Sequence, residues 1–351
     1  MTENQPPANP EHEPAANRPL RRLGVLTLGT FDGDNPAAGH EYTLTLIEHL
    51  EALGYDSVWL RHRHFQHGIS SPIAVMAAAS QRTSRIELGT AVTPLGAENP
   101  LRLAEDLATV DVLSGGRINP GISTGAPMNY ENFAHALYPD TAEHEDFSYR
   151  RVERLIEALR GDALSTFSGR KGIEEFSDRV QPHSPGLVDR VWYGAGSQNS
   201  VEFAAKAGLN FLTSSVIMGE GDFDDVQAAQ IRAFRSLHKD GDKARVSQGL
   251  VVIPTDSATP EQVERYRAYK AERDQRVGKT FGPKHAQFAP DLLGTSEELA
   301  EQLLARDAFR QVEEVAFALP FTLQPSDYDQ IVNDIATELA PRLGWAPSGE
   351  R

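Results

Sequence analysis

Large apolar side chains divide the chain into short buried runs and amphipathic stretches. Residues 1–20 (MTENQPPANPEHEPAANRPL) contain almost none of them, so they predict a disordered tail. The fold is expected to start at Leu23. Leu23–Leu28 is long enough for one buried strand. Leu44, Ile47, Leu50 and Leu53 lie three apart, which predicts a helix over Thr43–Leu53 that Gly54 ends. Ser57–Leu60 reads as a second strand, Pro72–Ser80 as an Ala-rich helix and Ile86–Val92 as a third strand. Pro100–Leu113 is a helix with proline near its start, where proline is favoured. Ile118–Ile122 is a fourth strand, and Phe147–Leu159 is helical again.

The rhythm continues in the second half. Val191–Tyr193, Asn210–Thr213, Gly249–Ile253 and Val315–Leu319 read as strands. Ser200–Ala207, Phe223–Leu237, Pro260–Arg273, Ser296–Arg306 and Asp327–Leu343 read as helices. Strands that alternate with helices in this way predict a (β/α)₈ barrel with insertion loops over residues 21–345, followed by a short tail at 346–351. A doubly wound open sheet is the alternative. Residues 126–146, 165–187 and 276–293 are the least regular, and loops of that length often serve as lids or binding segments. Phe133, His135, Phe176, Phe281 and Phe288 in them could line a pocket or simply pack.

Composition narrows the function. The chain has 351 residues, 40% hydrophobic and 24% charged, which is ordinary for a soluble globular protein. Its net charge of −16 argues against nucleic acid or an anionic membrane as partner, because binding phosphates needs basic patches. No apolar run approaches the length of a membrane span, and no secretion signal is evident, so a cytoplasmic protein is expected. The absence of cysteine excludes disulfides, thiolate metal sites and a cysteine nucleophile.

In a barrel the chemistry belongs at the C-terminal strand ends. The second strand ends in Arg61-His62-Arg63-His64-Phe65, with His67 just beyond. His-x-His there suits a metal, but the fifth, sixth and eighth strands end at Gly194, Thr213 and Leu319 and supply no further ligand, so no metal is expected. The other reading is a polar cluster that binds an anionic or aromatic ligand, with histidine as general base. Gly194-Ala195-Gly196-Ser197-Gln198-Asn199-Ser200 follows a strand and opens a helix. It lacks the third glycine of a dinucleotide fingerprint. Its backbone N–H groups, with the Ser197 and Ser200 hydroxyls, suit a single phosphate; a plain helix cap is the alternative. Small residues at Gly89-Thr90-Ala91-Val92 would let a flat ring approach, and Ser123-Thr124-Gly125 could reach a phosphate or be an ordinary polar loop.

Several segments resemble the bacterial luciferase-like flavin-dependent monooxygenases, from Leu23 to about Trp345. They are Ala52-Leu53-Gly54-Tyr55-Asp56-Ser57-Val58-Trp59 with the Arg-His-Arg-His-Phe run, and Ile86–Val92 through Asn99-Pro100-Leu101-Arg102-Leu103-Ala104-Glu105-Asp106. Leu113-Ser114-Gly115-Gly116-Arg117 leading to Gly121–Gly125, Val191–Ser200 with Glu202-Phe203-Ala204-Ala205, and Leu293–Leu299 complete the set.

The resemblance implies a barrel that takes reduced FMN from a partner flavin reductase. The flavin would react with O₂ through a C4a-peroxyflavin and oxygenate a small organic substrate; such proteins are commonly homodimers. It makes Ser197 and Ser200 phosphate ligands and puts a non-prolyl cis peptide at Ala91–Val92, under the flavin ring. Other members use the deazaflavin F420 for hydride transfer, and inactive relatives leave a non-catalytic flavin-binding protein as a third possibility. Two positions depart from the family pattern. Its usual first histidine after the second strand falls on Arg63, so His62 or His64 would be the base and Arg63 would steady a flavin oxygen or a substrate anion. An arginine that binds phosphate after the fourth strand is replaced by Thr124.

Overall fold

A computed structural model describes residues 18–127, 129–282 and 284–347. The expected N-terminal tail therefore lies outside the described residues except for Arg18–Leu20. Leu20 is buried, and the Arg18 N–H donates to the Arg310 carbonyl. Of the expected C-terminal tail, residues 348–351 are likewise outside.

The barrel strands are β1 (Arg22–Thr27), β2 (Ser57–Leu60), β3 (Glu87–Thr90, resumed at Thr93–Pro94) and β4 (Ile118–Asn119, resumed at Gly121–Ser123). They continue with β5 (Trp192–Gly194), β6 (Asn210–Thr213), β7 (Val246–Gln248) and β8 (Glu314–Ala318). Because β3 and β4 are each broken in two, the 10 paired segments of the sheet make eight strands. All neighbours are parallel. β8 pairs with β1, with Val315 opposite Leu23, and both halves of β3 pair with β4, so the sheet closes on itself. This is the expected (β/α)₈ barrel.

The helices follow local signals. The main ones are α1 (Pro36–Ala52), α2 (Pro72–Ser80), α3 (Pro100–Ser114), α4 (Arg150–Arg160), α5 (Gln198–Lys206), α6 (Phe223–Leu237), α7 (Pro260–Asp274), α8 (Ser296–Leu304) and α9 (Pro325–Asp334). Asn99 caps α3 by accepting from the Leu101 and Arg102 N–H groups, and Gly115 ends it at φ 72°, a left-handed conformation that suits glycine. Thr259 and Thr295 start α7 and α8 with capping boxes.

Two breaks shape the barrel mouth. Pro120 has no N–H to give, and β4 is interrupted there. Opposite it, the Thr90 hydroxyl donates to the Gly121 carbonyl (2.6 Å) and accepts from the Gly121 N–H (3.0 Å). A Cβ on Gly121 would lie 1.8 Å from the Thr90 carbonyl oxygen, so only glycine fits. Just beyond, the Ala91–Val92 peptide is cis.

The other end of the barrel is closed by charge. Arg245 grips Glu314 with two bonds of 2.7 and 2.8 Å, Arg22 pairs with Glu87 at 2.6 Å, and Asn119 Nδ2 donates to Glu87. Above this layer Trp59 and Trp192 meet edge to face, their centroids 5.4 Å apart. Gly24 and Gly89 make room for Trp59; a Cβ on Gly89 would stand 2.4 Å from its ring. The indoles separate the ionic floor from the open end.

One strand differs from expectation. The seventh barrel strand is Val246–Gln248, not Gly249–Ile253. Two of its three buried side chains, Ser247 and Gln248, are polar; Gln248 donates to Gln227, which donates to Thr213, so hydrophobicity could not mark it. The apolar run beyond instead supplies Val252–Pro254, paired in parallel with Leu292–Gly294 outside the barrel sheet. Two of the irregular stretches carry small sheets: a hairpin of Gly169–Lys171 and Glu174–Phe176, and Ala286–Phe288 paired against Val216–Met218.

Candidate active site

A cavity of about 400 Å³ opens at the C-terminal ends of the strands, within the range that holds a small-molecule ligand. Every barrel strand or the loop after it contributes, from Leu26 at the end of β1 to Ala316 in β8. Its only arginine or lysine side chains, among the described residues, are Arg61 and Arg63.

The run after β2 is held extended by backbone bonds from the Arg61 N–H to Thr27 O and from the Arg63 N–H to Ile69 O. His62 is therefore directed inward, 5% exposed, and its ring lies 4.4 Å from that of His64. His64 packs on Phe133. His62 Nδ1 and His64 Nε2 are buried and have no hydrogen-bond partner among the described residues. Burial, reinforced by the neighbouring His64 and Arg63, pushes His62 down to about 4, and burial also lowers His64. His62 is thus a neutral imidazole at pH 7.

Glu98 stands behind this pair, with Oε1 3.8 Å from His62 Nδ1. Burial, helped by the charge on Asp106, pushes its carboxyl up to about 7. The folded protein therefore keeps a proton on Glu98 between pH 4.5 and 7 that the unfolded chain releases, so this group destabilises the fold as pH rises through that window. His62 acts oppositely, since the unfolded chain gains a proton below about 6.5 that the fold refuses. Replacing Glu98 with glutamine removes only the first effect. The variant is expected to gain about 1–2 kcal/mol relative to the parent between pH 5 and pH 8, discounted for partial solvent access. Urea midpoints at the two pH values test this; an unchanged difference would remove Glu98 from the account.

Across the mouth, β5 ends in Gly194. A Cβ there would stand 2.7 Å from Val92 Cγ1, whereas one at Gly196 would rest in ordinary contact with the Val216–Met218 strand, 3.6 Å from the Val216 carbonyl oxygen. The Gly196 carbonyl is pinned by the Met218 N–H (2.7 Å) and by Gln230 Nε2 (3.0 Å). Ser197 caps α5. Its hydroxyl faces that of Ser200 at 2.9 Å, and Ser200 Oγ accepts from the Ser197 N–H at 3.1 Å. The capping reading and the phosphate reading therefore fall on one piece of chain: a glycine-opened helix N-terminus beside a cavity.

The cavity gathers His62, Arg63, His64, Ala91, Val92, Ser123, Gly194 and Gly196. It does not reach four other candidates. Thr90 is 1% exposed and its hydroxyl holds Gly121, so its role is to join β3 to β4. The Thr124 hydroxyl accepts from Tyr193 Oη at 2.7 Å, and Ser197 and Ser200 follow the lining residue Gly196 in the chain without lining the cavity themselves. None of the five aromatic and histidine candidates in the irregular stretches lines it. Leu212, Val216 and Met218 form the apolar wall instead. Among the described residues no group of three His, Asp or Glu side chains gathers around the histidines as a metal site would require. Sequence reasoning passed over Arg61, visible in the basic run but not singled out, and Glu98, which carried no signal beyond preceding the helix cap.

A family model for the luciferase-like monooxygenases matches residues 22–316. The chain belongs to that family. It is 25% identical to an FMNH₂-dependent dimethylsulfone monooxygenase of Pseudomonas fluorescens, over 90% of this chain and 88% of the relative. It is 29% identical to an F420-dependent glucose-6-phosphate dehydrogenase of Intrasporangium calvum, over 72% of each. An uncharacterized protein of Sinorhizobium fredii, y4wF, is 32% identical, but the match spans 53% of this chain and about half (55%) of that protein. Among solved structures, the oxygenating constituent of 3,6-diketocamphane monooxygenase of Pseudomonas putida, in complex with FMN, shares the fold with a TM-score of 0.61 at 14% identity, covering 92% of this chain and 98% of that one. No described helix is long and apolar enough to cross a membrane.

Proposed function

We propose that the protein is a flavin-dependent monooxygenase that takes reduced FMN from a separate flavin reductase and oxygenates a small organic substrate with O₂. The observation that carries this reading is the cavity itself. One wall is the Gly194–Gly196 run that leads into α5, and the opposite wall carries the buried, neutral His62 beside the half-buried His64. The residues suit a flavin. Gly194 leaves room for Val92 against the strand end, Gly194 and Gly196 bring bare backbone to the cavity lining, and the α5 N-terminus beyond them offers N–H groups and two hydroxyls to a phosphate. Reduced FMN, when bound, supplies two electrons to O₂, so that one oxygen atom enters the substrate and the other leaves as water.

The chain's own side chains have distinct tasks in this reading. Ala91 and Val92 support the ring, and Ser197 and Ser200 hold the phosphate. His62 and His64 accept or hold a proton at the unpartnered Nδ1 and Nε2. Leu212, Val216 and Met218 exclude water, which protects a reactive intermediate. A homodimer is the assembly this reading expects.

A second reading is hydride transfer with F420. One observation favours it: among the described residues no arginine or lysine lines the Gly194–Gly196 side of the cavity, so a phosphate dianion meets no positive side chain there. Anaerobic titration with reduced FMN and with reduced F420, followed by rapid mixing with O₂, separates the two. Binding of reduced FMN and a long-lived near-ultraviolet species formed only with O₂ is the expected result. Binding of F420 alone, with no O₂-dependent species, would retire the oxygenase.

A further inference from the structure

Among the described residues Arg61 has no partner of opposite charge. It lines the cavity, yet no carboxylate among the described residues lies within ion-pair distance of it, and its Nε is buried with no hydrogen-bond partner. Its guanidinium rests on the Phe321 ring, 5.3 Å from the centroid, and Arg273 lies 4.8 Å from the same centroid. Arg273 and Arg276 share one buried acid, Asp291. Arg63 completes the group. Arg61 thus stands beside two further cations, Arg63 and Arg273, while the buried Asp291 is taken up by Arg273 and Arg276, in a chain whose net charge is −16. Burial, with repulsion from Arg63 and Arg273, lowers Arg61 only to about 10, so it stays charged at neutral pH. A buried unpaired cation is unfavourable unless something neutralises it.

The position separates this charge from the expected flavin phosphate. Arg61 follows β2 and Phe321 follows β8, so they flank the β1 side of the mouth. The α5 N-terminus follows β5, on the opposite side of the ring. A planar guanidinium with a free edge fits a two-oxygen anion in two-bond fashion, and the wall of Leu212, Val216 and Met218 suits an organic body.

We propose that Arg61 is a substrate-binding residue and that the substrate is an organic anion, whose carboxylate or oxo-acid group sits on Arg61 against Phe321. This deepens the proposed function and rests on it for the nature of the site.

Direct binding tests it without turnover. Benzoate is titrated by calorimetry into the protein saturated with oxidised FMN, with benzyl alcohol as the neutral counterpart, and FMN affinity is read separately from flavin fluorescence. Benzoate is expected to bind more tightly than benzyl alcohol, and the preference to weaken with salt. Arg61→Gln is expected to lose about tenfold or more of benzoate affinity, Arg61→Lys less, with benzyl alcohol and FMN affinities within about threefold of the parent. Equal benzoate affinity in Arg61→Gln would overturn the proposal. So would a loss of FMN affinity in both variants with unchanged melting temperatures, which would give Arg61 to the cofactor. If neither FMN nor F420 binds but benzoate still depends on Arg61, the flavin reading fails and the anion subsite stands.

Discussion

Asp111→Ala is expected to lower the unfolding free energy by about 3–5 kcal/mol, the usual result of removing one partner from a buried ion pair. The Asp111 side chain on α3 is 0% exposed. Its carboxylate accepts from Arg190 at 2.7 and 2.9 Å, from the Ser184 hydroxyl at 2.5 Å and from the Ile118 N–H at 3.1 Å. Arg190 also donates to the Gly116 and Ile118 carbonyls. One side chain thus ties α3 to the start of β4 and to the segment that leads into β5. Alanine would leave the guanidinium and an amide without their acceptor. Burial alone would raise the Asp111 pKa, but the bonds from Arg190, Ser184 and Ile118 outweigh it and hold the carboxyl below its ordinary value. Its stabilisation is therefore complete at neutral pH and is lost only as pH falls through the depressed folded value. Urea titration at pH 7 measures the effect, and Asp111→Asn separates charge from shape. A loss under about 1 kcal/mol for alanine would show that the network relaxes onto water.

Ser197→Asp is expected to weaken binding of reduced flavin by about 100-fold or more. Aspartate is as good a helix cap as serine, so the start of α5 should survive the change. What changes is charge, placed where the flavin phosphate is proposed to sit. Two like charges about 4 Å apart repel by about 4 kcal/mol at an effective dielectric of about 20, and about 1.4 kcal/mol is tenfold in affinity. Ser197→Ala is the control, since it loses the cap at about 1 kcal/mol without adding charge. Fluorescence titration with FMN reads both. Unchanged affinity in the aspartate variant would move the phosphate away from this loop.

The segments that made the chain recognisable are largely structural. In Asn99-Pro100-Leu101-Arg102, the asparagine caps α3 and the proline opens it. In Leu113-Ser114-Gly115-Gly116-Arg117, the arginine donates to the Ser80, Thr83, Ile86 and Ser114 carbonyls and the Thr83 hydroxyl, fastening α2 and α3 to β3. Such patterns are readable because caps and turns depend on near neighbours. The same locality made the order of strands and helices legible from periodicity alone, along with the basic run after β2 and the glycine loop after β5.

Other features depend on residues far apart in sequence. β7 was hidden because two of its three buried side chains are polar and Gln248 bonds to Gln227 on α6, a contact that apolar runs cannot announce. The burial of Thr90 was equally out of reach of the sequence, because its hydroxyl donates to and accepts from Gly121, 31 positions away. Glu98 gained its place beside His62, and Arg61 its isolation against Phe321 and Arg273, only when the barrel closed. The sequence by itself determined the alternation of elements and the strand ends that carry chemistry, since these follow from local spacing and backbone preference. The tertiary structure alone decided which charges are paired, which protons are displaced and which side chains face the cavity, because desolvation and Coulomb forces act through space.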